Sequence, residues 1–516
     1  MKLKRQYRTI NGVFVFLLLL FLLLAPLAAA QEYSPQKPYY TDRGQYNYAK
    51  FLFDDGDFNS SAREFSRLIE SFPGSPFTMR AQFMQASSYH RAGRLRAAAE
   101  EYARFMRNFP LDPMSKKAER KLASVKEDEE LFAPLLKATI PESSEPIRAV
   151  QVFYFDGGST EEVEAELLAL SRGGIDTIIV RVFHNPDDRF HPSVRRVNRE
   201  RFTSGVYFKT THAPVIEDFL PDVIRSAKKY NLKVYAWMTT RYADYGVEDR
   251  EELKCRSYDL STNKTVKCKG LDLFNEEVVK RLEGLYSDLA AYEIDGILFQ
   301  DDLVLRHTEG FGPHAARAYE EDFSKPLTPG LFYFTRSGRA QVDYTGLFWE
   351  WAAWKNRRLL SVADRLRQVV RAKRPKAKFA INLMYEAVTN PGFGLAWLSQ
   401  NIEEARKTGF DYYSIMAYHR QMAGELNMDP DETKDLIEAL VREAVLMVGA
   451  PEKVMIKFQT RDWNTRERIN DSEVVELLRS VRSVDDVSLT LVPYQSNFPY
   501  YELGGKADTA SMKRER

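Results

Sequence analysis

One stretch of the chain reads Asp295-Gly296-Ile297-Leu298-Phe299-Gln300-Asp301-Asp302. It predicts a short apolar strand that ends in an amide and two adjacent carboxylates. Successive side chains of a strand point to opposite faces, so only one aspartate of the pair can face a given cleft. Burying carboxylates beside an apolar run costs free energy unless they are solvated, ion-paired or engaged in binding or catalysis. We interpret the stretch as a catalytic strand end; the alternative is that Asp302 only caps a helix.

Similar apolar runs recur from Val150 onward and alternate with helical patterns, which is typical of a parallel α/β fold. Eight such units predict a (β/α)₈ barrel over residues 147–503, with a long insertion after the fourth strand. The predicted strands are Val150–Phe155, Thr177–Phe183, Lys233–Met238, Gly296–Phe299, Phe379–Leu383, Tyr412–Met416, Val454–Phe458 and Ser488–Val492.

If the barrel closes, the residues just past each strand meet at one site on its carboxyl face. They include carboxylates, amides and aromatic rings, a combination that suits a carbohydrate because rings stack on sugars and polar groups bind hydroxyls. The predicted catalytic residues are Asp302 and Asp301. The predicted substrate-binding residues are Asp156, Trp237, Gln300, Asn382, Glu386, Tyr418, Trp463 and Tyr494.

This set of residues predicts glycoside hydrolysis, which needs a proton donor and an opposing group that activates water or stabilises the oxocarbenium-like state. Two adjacent aspartates are a poor acid/base pair across one sugar, so the opposing carboxylate is expected from Asp156, Asp244 or Glu386. Neither a Ser/His/Asp triad nor a glycine-rich phosphate loop stands out, and the histidines fit no familiar metal spacing. We therefore expect no cofactor and no metal.

The N-terminus predicts export. A basic segment precedes the apolar run Val13–Leu24, and Ala28-Ala29-Ala30 is a small-residue cleavage site, so residues 1–30 resemble a secretory signal. An uncleaved N-terminal anchor is the alternative. We expect the protein in the periplasm or cell envelope. In an exported protein, the two cysteines of the chain, Cys255 and Cys268, predict a disulfide. The near-neutral formal charge of +1 argues against nucleic-acid binding.

Residues 45–131 contain a helical repeat. The pattern that begins at Gly56-Asp57-Phe58 and ends at Phe72-Pro73 recurs 37 positions later, from Gly93 to Phe109-Pro110. It resembles tetratricopeptide repeats, which bind partners such as an envelope or export protein. The alternative is that the repeat only packs against the next domain. Residues 132–146 are the predicted linker, and residues 504–516 are a predicted disordered tail.

The barrel residues resemble the C-terminal glycoside hydrolase domain of PgaB-type proteins, glycoside hydrolase family 153. The segments that carry the resemblance are Val152–Asp156, Val206–Phe208, Val234–Met238, Asp295–Asp302, Glu350–Lys355, Ser414–Ala417 and Asn497-Phe498. The family places its proposed catalytic acid in the aspartate pair. The chain departs from the family at Gln300, where a histidine is usual. A helical repeat also replaces the usual deacetylase domain, so deacetylation is not carried over.

The fourth strand of chitinases, Asp-Gly-x-Asp-x-Asp-x-Glu, is similar at its start and would place Asp302 at the catalytic position. Together these similarities imply an exported, endo-acting hydrolase of an amino-sugar exopolysaccharide such as partly deacetylated poly-β-1,6-N-acetylglucosamine, acting in biofilm matrix processing or export. Asp302 is then the preferred proton donor. The alternative function is a non-catalytic, polysaccharide-binding barrel with a repeat scaffold for an envelope export machine; the glutamine at 300 keeps this alternative open.

Overall fold

A computed structural model defines residues 41–132, 146–185, 204–335 and 342–504. The predicted signal at 1–30, nearly all of the predicted linker and nearly all of the predicted tail lie outside the described residues. Within the described ranges, no helix combines the length and the apolar composition that a membrane span requires.

The N-terminal part consists of five consecutive helices, and each contacts the next along the chain. The helices are α1 (Asp42–Asp54), α2 (Phe58–Ser71), α3 (Thr78–Arg91), α4 (Leu95–Asn108) and α5 (Pro113–Phe132). Two glycines in the turns, Gly56 and Gly93, have positive φ angles of 85° and 72°, a conformation that side-chain-bearing residues rarely adopt. The helices fit the predicted repeat. Phe83, Tyr102 and Phe105 form the core of its second half.

The C-terminal part is a closed barrel of eight parallel strands, which confirms the predicted fold class. Each strand pairs with its neighbours in chain order, and the first pairs with the last. The strands are β1 (Arg148–Val152), β2 (Thr177–Arg181), β3 (Lys233–Met238), β4 (Gly296–Phe299), β5 (Lys378–Met384), β6 (Tyr412–Met416), β7 (Val454–Gln459) and β8 (Ser488–Val492).

Helices follow the strands and cover the outside of the barrel. In chain order they are α6 (Thr160–Arg172), α7 (Leu220–Lys229), α8 (Glu276–Leu289), α9 (Pro313–Phe323), α10 (Gly346–Lys373), α11 (Glu386–Thr389), α12 (Pro391–Leu398), α13 (Ile402–Lys407), α14 (His419–Leu426), α15 (Pro430–Val448), α16 (Asp471–Val484) and α17 (Tyr501–Gly504). Local sequence fixes several starts: Ser159 and Glu162 form a capping box at α6, and Asp429 and Glu432 do so at α15.

Strand β4 fits tightly between β3 and β5. A Cβ atom at Gly296 would lie 2.6 Å from the Lys378 carbonyl oxygen and 2.8 Å from the Tyr235 ring, so only glycine fits at this position. The strand is buried along its whole length and ends at Phe299. Its position therefore fixes where the following residues Gln300, Asp301 and Asp302 emerge on the carboxyl face.

Small antiparallel ribbons extend the loops on the carboxyl face. One pairs Lys254–Asp259 with Lys264–Leu271, and two shorter ones pair Phe183–His184 with Gly205–Val206 and Tyr333–Thr335 with Val342–Tyr344. The first ribbon carries a disulfide between Cys255 and Cys268, with Cα atoms 5.3 Å apart. The buried guanidinium of Arg241, just past β3, lies 3.2 Å from the Cys255 sulfur. The disulfide ribbon is therefore packed directly on the end of β3.

The first repeat helices are fused to the barrel. Tyr48 and Leu52 of α1 belong to the same hydrophobic core as the barrel strands, and the Tyr48 ring lies 4.8 Å from that of Trp349 on α10. On α2, Arg63 forms an ion pair with Glu403 of α13. One side of the repeat thus packs against the next domain, as the alternative interpretation expects, whereas α3–α5 form a separate core.

Candidate active site

A cavity of about 900 Å³ opens at the carboxyl end of the barrel. Every strand contributes to its lining, either by its last residues or by the loop that follows. The lining residues are Gln151, Phe153, Arg181, Trp237, Gln300, Asp301, Asn382, Met416, Tyr418, Gln421, Gly424, Glu425, Asn427, Lys457, Asp462, Trp463, Asn464 and Val492. The size and the mixture of aromatic, amide and charged groups suit a segment of polysaccharide.

The two aspartates that follow β4 have separate environments. Asp302 is only 1% exposed and lies outside the cavity lining. Its carboxylate accepts hydrogen bonds from the backbone amides of Thr240 at 2.9 Å and Tyr242 at 2.7 Å and from the Thr240 hydroxyl at 2.8 Å. Burial raises the pKa of Asp302 to about 6 although these hydrogen bonds favour its charged form. Asp302 therefore ties the end of β4 to the loop after β3.

Asp301, by contrast, lines the cavity. This placement favours Asp301 over the predicted Asp302 as the proton donor, because the Asp302 carboxyl group is engaged with Thr240 and Tyr242 outside the cavity lining. Asp301 takes its place as the candidate. Only one aspartate of the pair lines the cavity, as the strand pattern predicts. The preference for Asp302 came from the similarity to the chitinase strand, which carries no information on the contacts of Asp302 with Thr240 and Tyr242.

Aromatic rings form one wall of the cavity. The Phe153 ring lies 5.0 Å from that of Trp237 and is stacked 6.4 Å from that of Trp463. Tyr418 meets Trp463 edge to face, with ring centroids 5.4 Å apart. The indole N–H of Trp237 donates to the side-chain oxygen of Gln300. Trp237, Gln300, Tyr418 and Trp463 are thus gathered where the sequence predicted them, and Phe153 joins them.

Two cations that the sequence prediction missed lie deeper in the cavity. Lys457 on β7 donates to the side-chain oxygen of Asn382 at 2.8 Å, and burial lowers the pKa of Lys457 to about 7, against the opposing field of Asp301. The Arg181 guanidinium lies over the Phe153 ring at 5.2 Å. A signal was present in the sequence: each cation interrupts an otherwise apolar run within a strand, where a charged residue is expected only if it points into a polar barrel interior.

Three predicted binding residues lie outside the cavity lining. Asp156 is exposed, and its backbone amide donates to Glu166. Tyr494 packs between Phe155 and Tyr500. Glu386 is buried at the start of α11. Asp244, another candidate for the opposing carboxylate, pairs with Lys254 at 2.6 Å. The carboxylates that do line the cavity with Asp301 are Glu425, on α14, and Asp462, after β7.

Glu386 gives a testable pH dependence. Burial raises its pKa from 4.5 to about 8, so the folded protein holds a proton that the unfolded chain has lost between these values. Stability should therefore fall as pH rises from about 5 to 8, by roughly 4 kcal/mol from this group. Glu386→Gln should remove that contribution. Urea unfolding of both proteins at several pH values across this range measures the free energy of unfolding. The same pH dependence of that free energy in both proteins would contradict the prediction.

A family model described as hypothetical glycosyl hydrolase family 13 matches residues 198–489, more than half of the chain and most of the barrel. The chain belongs to this family. Among solved structures, the fold is similar to the PgaB (BpsB) glycoside hydrolase domain from Bordetella bronchiseptica, with a TM-score of 0.54 and 21% identity over 71% of this chain and 98% of that domain. This similarity supports the barrel architecture of this family member.

Two curated relatives also match, both called poly-β-1,6-N-acetyl-D-glucosamine N-deacetylase, from Escherichia coli strain K12 and Escherichia coli O157:H7. Each is 25% identical over 297 residues, which is 56% of this chain. The matched part spans only 40% of the length of these relatives.

Proposed function

We propose that the cavity is the active site of an endo-acting glycoside hydrolase whose substrate is a β-1,6-linked N-acetylglucosamine polymer, including its partly deacetylated form. Membership of a glycosyl hydrolase family supports the reaction class. The names of the curated relatives support the polymer. The glycosyl hydrolase family model matches residues 198–489, which include most of the barrel that holds the cavity, so we propose hydrolysis rather than the N-deacetylation that those names give.

The observation that carries the proposal is the position of Asp301. Within the cavity it is the carboxyl group at the end of β4, and its neighbour Asp302 is engaged elsewhere in four hydrogen bonds with Thr240 and Tyr242. In the proposed reaction, Asp301 donates a proton to the glycosidic oxygen as the bond from that oxygen to the anomeric carbon breaks. Water then supplies the hydroxyl at the anomeric carbon, and its proton restores Asp301.

The remaining cavity groups bind and orient the sugar. Trp237 and Trp463 offer ring faces, and Gln300 and Asn382 offer amide N–H groups. Tyr418 lies within the electrostatic field of Asp301, and burial raises its pKa well above its usual value, which keeps its hydroxyl protonated as a hydrogen-bond donor. Glu425 and Asp462 are the carboxylates available to oppose Asp301. Asp156, Glu386 and Tyr494 have no part in this proposal.

We further propose that the protein acts outside the cytoplasm, in the cell envelope, on the basis of the secretory pattern of residues 1–30 and the disulfide of Cys255 and Cys268. The outward helices α3–α5 are the part of the repeat available for an envelope partner, since α1 and α2 pack on the barrel.

The proposal is tested by incubating the protein with three polymers: poly-β-1,6-N-acetylglucosamine, its partly deacetylated form, and β-1,4-linked chitin oligomers. Release of short oligosaccharides from either β-1,6-linked polymer, with little release from chitin oligomers, is the expected result. Binding of the β-1,6-linked polymer with no new reducing ends would instead support a polysaccharide-binding barrel without catalysis.

A further inference from the structure

Three polar side chains form the floor of the cavity. Gln151 on β1, Asn382 on β5 and Lys457 on β7 point inward at the mouth of the barrel and all line the cavity. They are 2%, 2% and 1% exposed, respectively, so they are almost completely removed from bulk water. We call these three residues the floor triad. Asp301 is assigned to proton transfer in the proposed reaction, whereas the floor triad has no role in that step.

The hydrogen bonds of the floor triad are incomplete. A lysine ammonium has three donors and no acceptor, so the oxygen of the Asn382 amide must face Lys457, as it does at 2.8 Å. This orientation leaves the NH₂ of Asn382 for a ligand. Among the described residues, no second hydrogen-bond partner of the Lys457 ammonium is found, and the buried side-chain oxygen of Gln151 has none. Buried polar groups normally have partners, so these atoms must be completed from the cavity, by ordered water or by a ligand that replaces it.

The unused atoms define what that group must be. Lys457 and Asn382 offer donors, and Gln151 offers an acceptor. A neutral group that both accepts and donates, such as a hydroxyl or an acetamido group, satisfies all three. A free amine does not: as an ammonium it only donates, so it cannot accept from Lys457. It would also place a second positive charge beside a buried lysine, where repulsion is weakly screened and is offset only to the extent that the nearby Asp301 is ionised.

We propose that the floor triad is a subsite for a neutral, hydrogen-bond-accepting substituent of the sugar, and that Lys457 excludes sugars with a free amine from this position. The inference rests on the proposed hydrolase function and deepens it, because it assigns a residue that selects where along a partly deacetylated chain the enzyme cleaves. Lys457 acts as a specificity-determining residue, through charge and hydrogen bonding, and takes no part in proton transfer.

The test compares the full-length wild type with Lys457→Met, which keeps the length of the side chain and removes its charge. Substrates are β-1,6-linked oligosaccharides of N-acetylglucosamine, glucose and glucosamine. At about pH 6 the lysine is charged, since burial lowers the pKa of Lys457 only to about 7, and the glucosamine amines are charged too. Relative to N-acetylglucosamine oligomers, kcat/KM for glucosamine oligomers should rise about tenfold or more in the variant. The glucose oligomers show whether a hydroxyl or only an acetamido group fills the subsite.

Lys355→Met is the matched control. Lys355 is also a fully buried lysine, but its ammonium donates to the carbonyl oxygens of Arg306 at 2.8 Å and Glu309 at 3.2 Å, outside the cavity lining. Its removal should leave unchanged the ratio of kcat/KM for glucosamine oligomers to kcat/KM for N-acetylglucosamine oligomers. An unchanged ratio in Lys457→Met, with normal wild-type cleavage, would overturn the inference and leave the proposed function standing.

Calorimetric binding of the same oligosaccharides gives a readout that needs no turnover. If the wild type cleaves none of them, the proposed function fails, and the ratio of the dissociation constants for N-acetylglucosamine and glucosamine oligomers still reports on the floor triad. The inference expects Lys457→Met to narrow that ratio by about tenfold. Equal ratios in the two proteins would overturn it on this measurement as well.

Discussion

Asp301→Asn should reduce kcat by roughly a thousandfold on a β-1,6-linked N-acetylglucosamine polymer, with little change in polymer binding. An asparagine has nearly the same shape as an aspartate but cannot transfer a proton to the leaving oxygen. An asparagine at position 301 should fit without a loss of packing, because the Asp301 side chain lines the cavity and does not lie in the hydrophobic core. Reducing-end release and calorimetric binding, measured on the same preparations, separate the loss of chemistry from a loss of affinity.

Asp302→Asn is the matched control one residue away. There the asparagine can keep its oxygen on the amides of Thr240 and Tyr242, but its N–H group replaces the second oxygen, which accepts from the Thr240 hydroxyl at 2.8 Å and from the Thr240 amide at 3.1 Å. The unsatisfied contacts should cost about 1–3 kcal/mol of stability. The folded variant should nevertheless retain activity about tenfold or more above that of Asp301→Asn. The reverse order of activities would restore Asp302 as the proton donor and refute the assignment of that role to Asp301.

Arg241→Met should destabilise the barrel by about 3–5 kcal/mol, because the substitution leaves a buried carboxylate without its cation. The Arg241 guanidinium pairs with Glu309 at 2.8 Å, and the two side chains are only 1% and 9% exposed. It also donates to the carbonyl oxygens of Val304 and Lys269, both at 2.7 Å. Arg241 therefore holds the loop after β3, the loop after β4 and the disulfide ribbon together. Urea unfolding at neutral pH measures the loss.

Two further variants show whether the cause is the buried charge. Adding Glu309→Gln to Arg241→Met removes the unpaired carboxylate and should recover part of the lost stability. Arg250→Met removes an arginine that pairs with Glu252 and Glu277 at the surface, with 44% of its side chain exposed, and should cost less than about 1 kcal/mol. Equal losses for Arg241→Met and Arg250→Met would contradict the buried-network account.

The sequence was sufficient to predict the barrel because its strands are short apolar runs separated by helices, and seven of the eight observed strands begin within one residue of the prediction. It also placed Trp237, Gln300, Asn382, Tyr418 and Trp463 at the cavity. These residues follow strands, or lie among the last three residues of strands, whose limits were predicted closely, so the rule that strand ends converge on the carboxyl face was enough.

The failures have two physical causes. Asp156, Glu386 and Tyr494 lie outside the cavity lining because each is engaged elsewhere after its strand. The Asp156 amide donates to Glu166 of α6, Glu386 begins α11, and Tyr494 packs between Phe155 and Tyr500. Which of the two aspartates lines the cavity depends on Thr240 and Tyr242, the hydrogen-bond partners of Asp302. These partners are about 60 residues away in sequence, so no local pattern reveals them.

Gln151, Arg181 and Lys457 were missed for a different reason. All three lie inside the predicted strands, and within those strands only Trp237 and Asn382 were predicted as site residues. A charged residue inside a buried strand was the available signal, and the barrel interior explains it: side chains of alternate residues point into the barrel and, near its mouth, reach the cavity.

In this account the protein hydrolyses the polymer in the cavity, with Asp301 as the proton donor. Mass spectrometry of the products that wild type, Asp301→Asn and Asp302→Asn release from partly deacetylated poly-β-1,6-N-acetylglucosamine tests it most directly. Short oligosaccharides from the wild type and from Asp302→Asn, and none from Asp301→Asn, are the predicted result. Oligosaccharides from Asp301→Asn at the wild-type rate, or intact polymer with all three proteins, would contradict it.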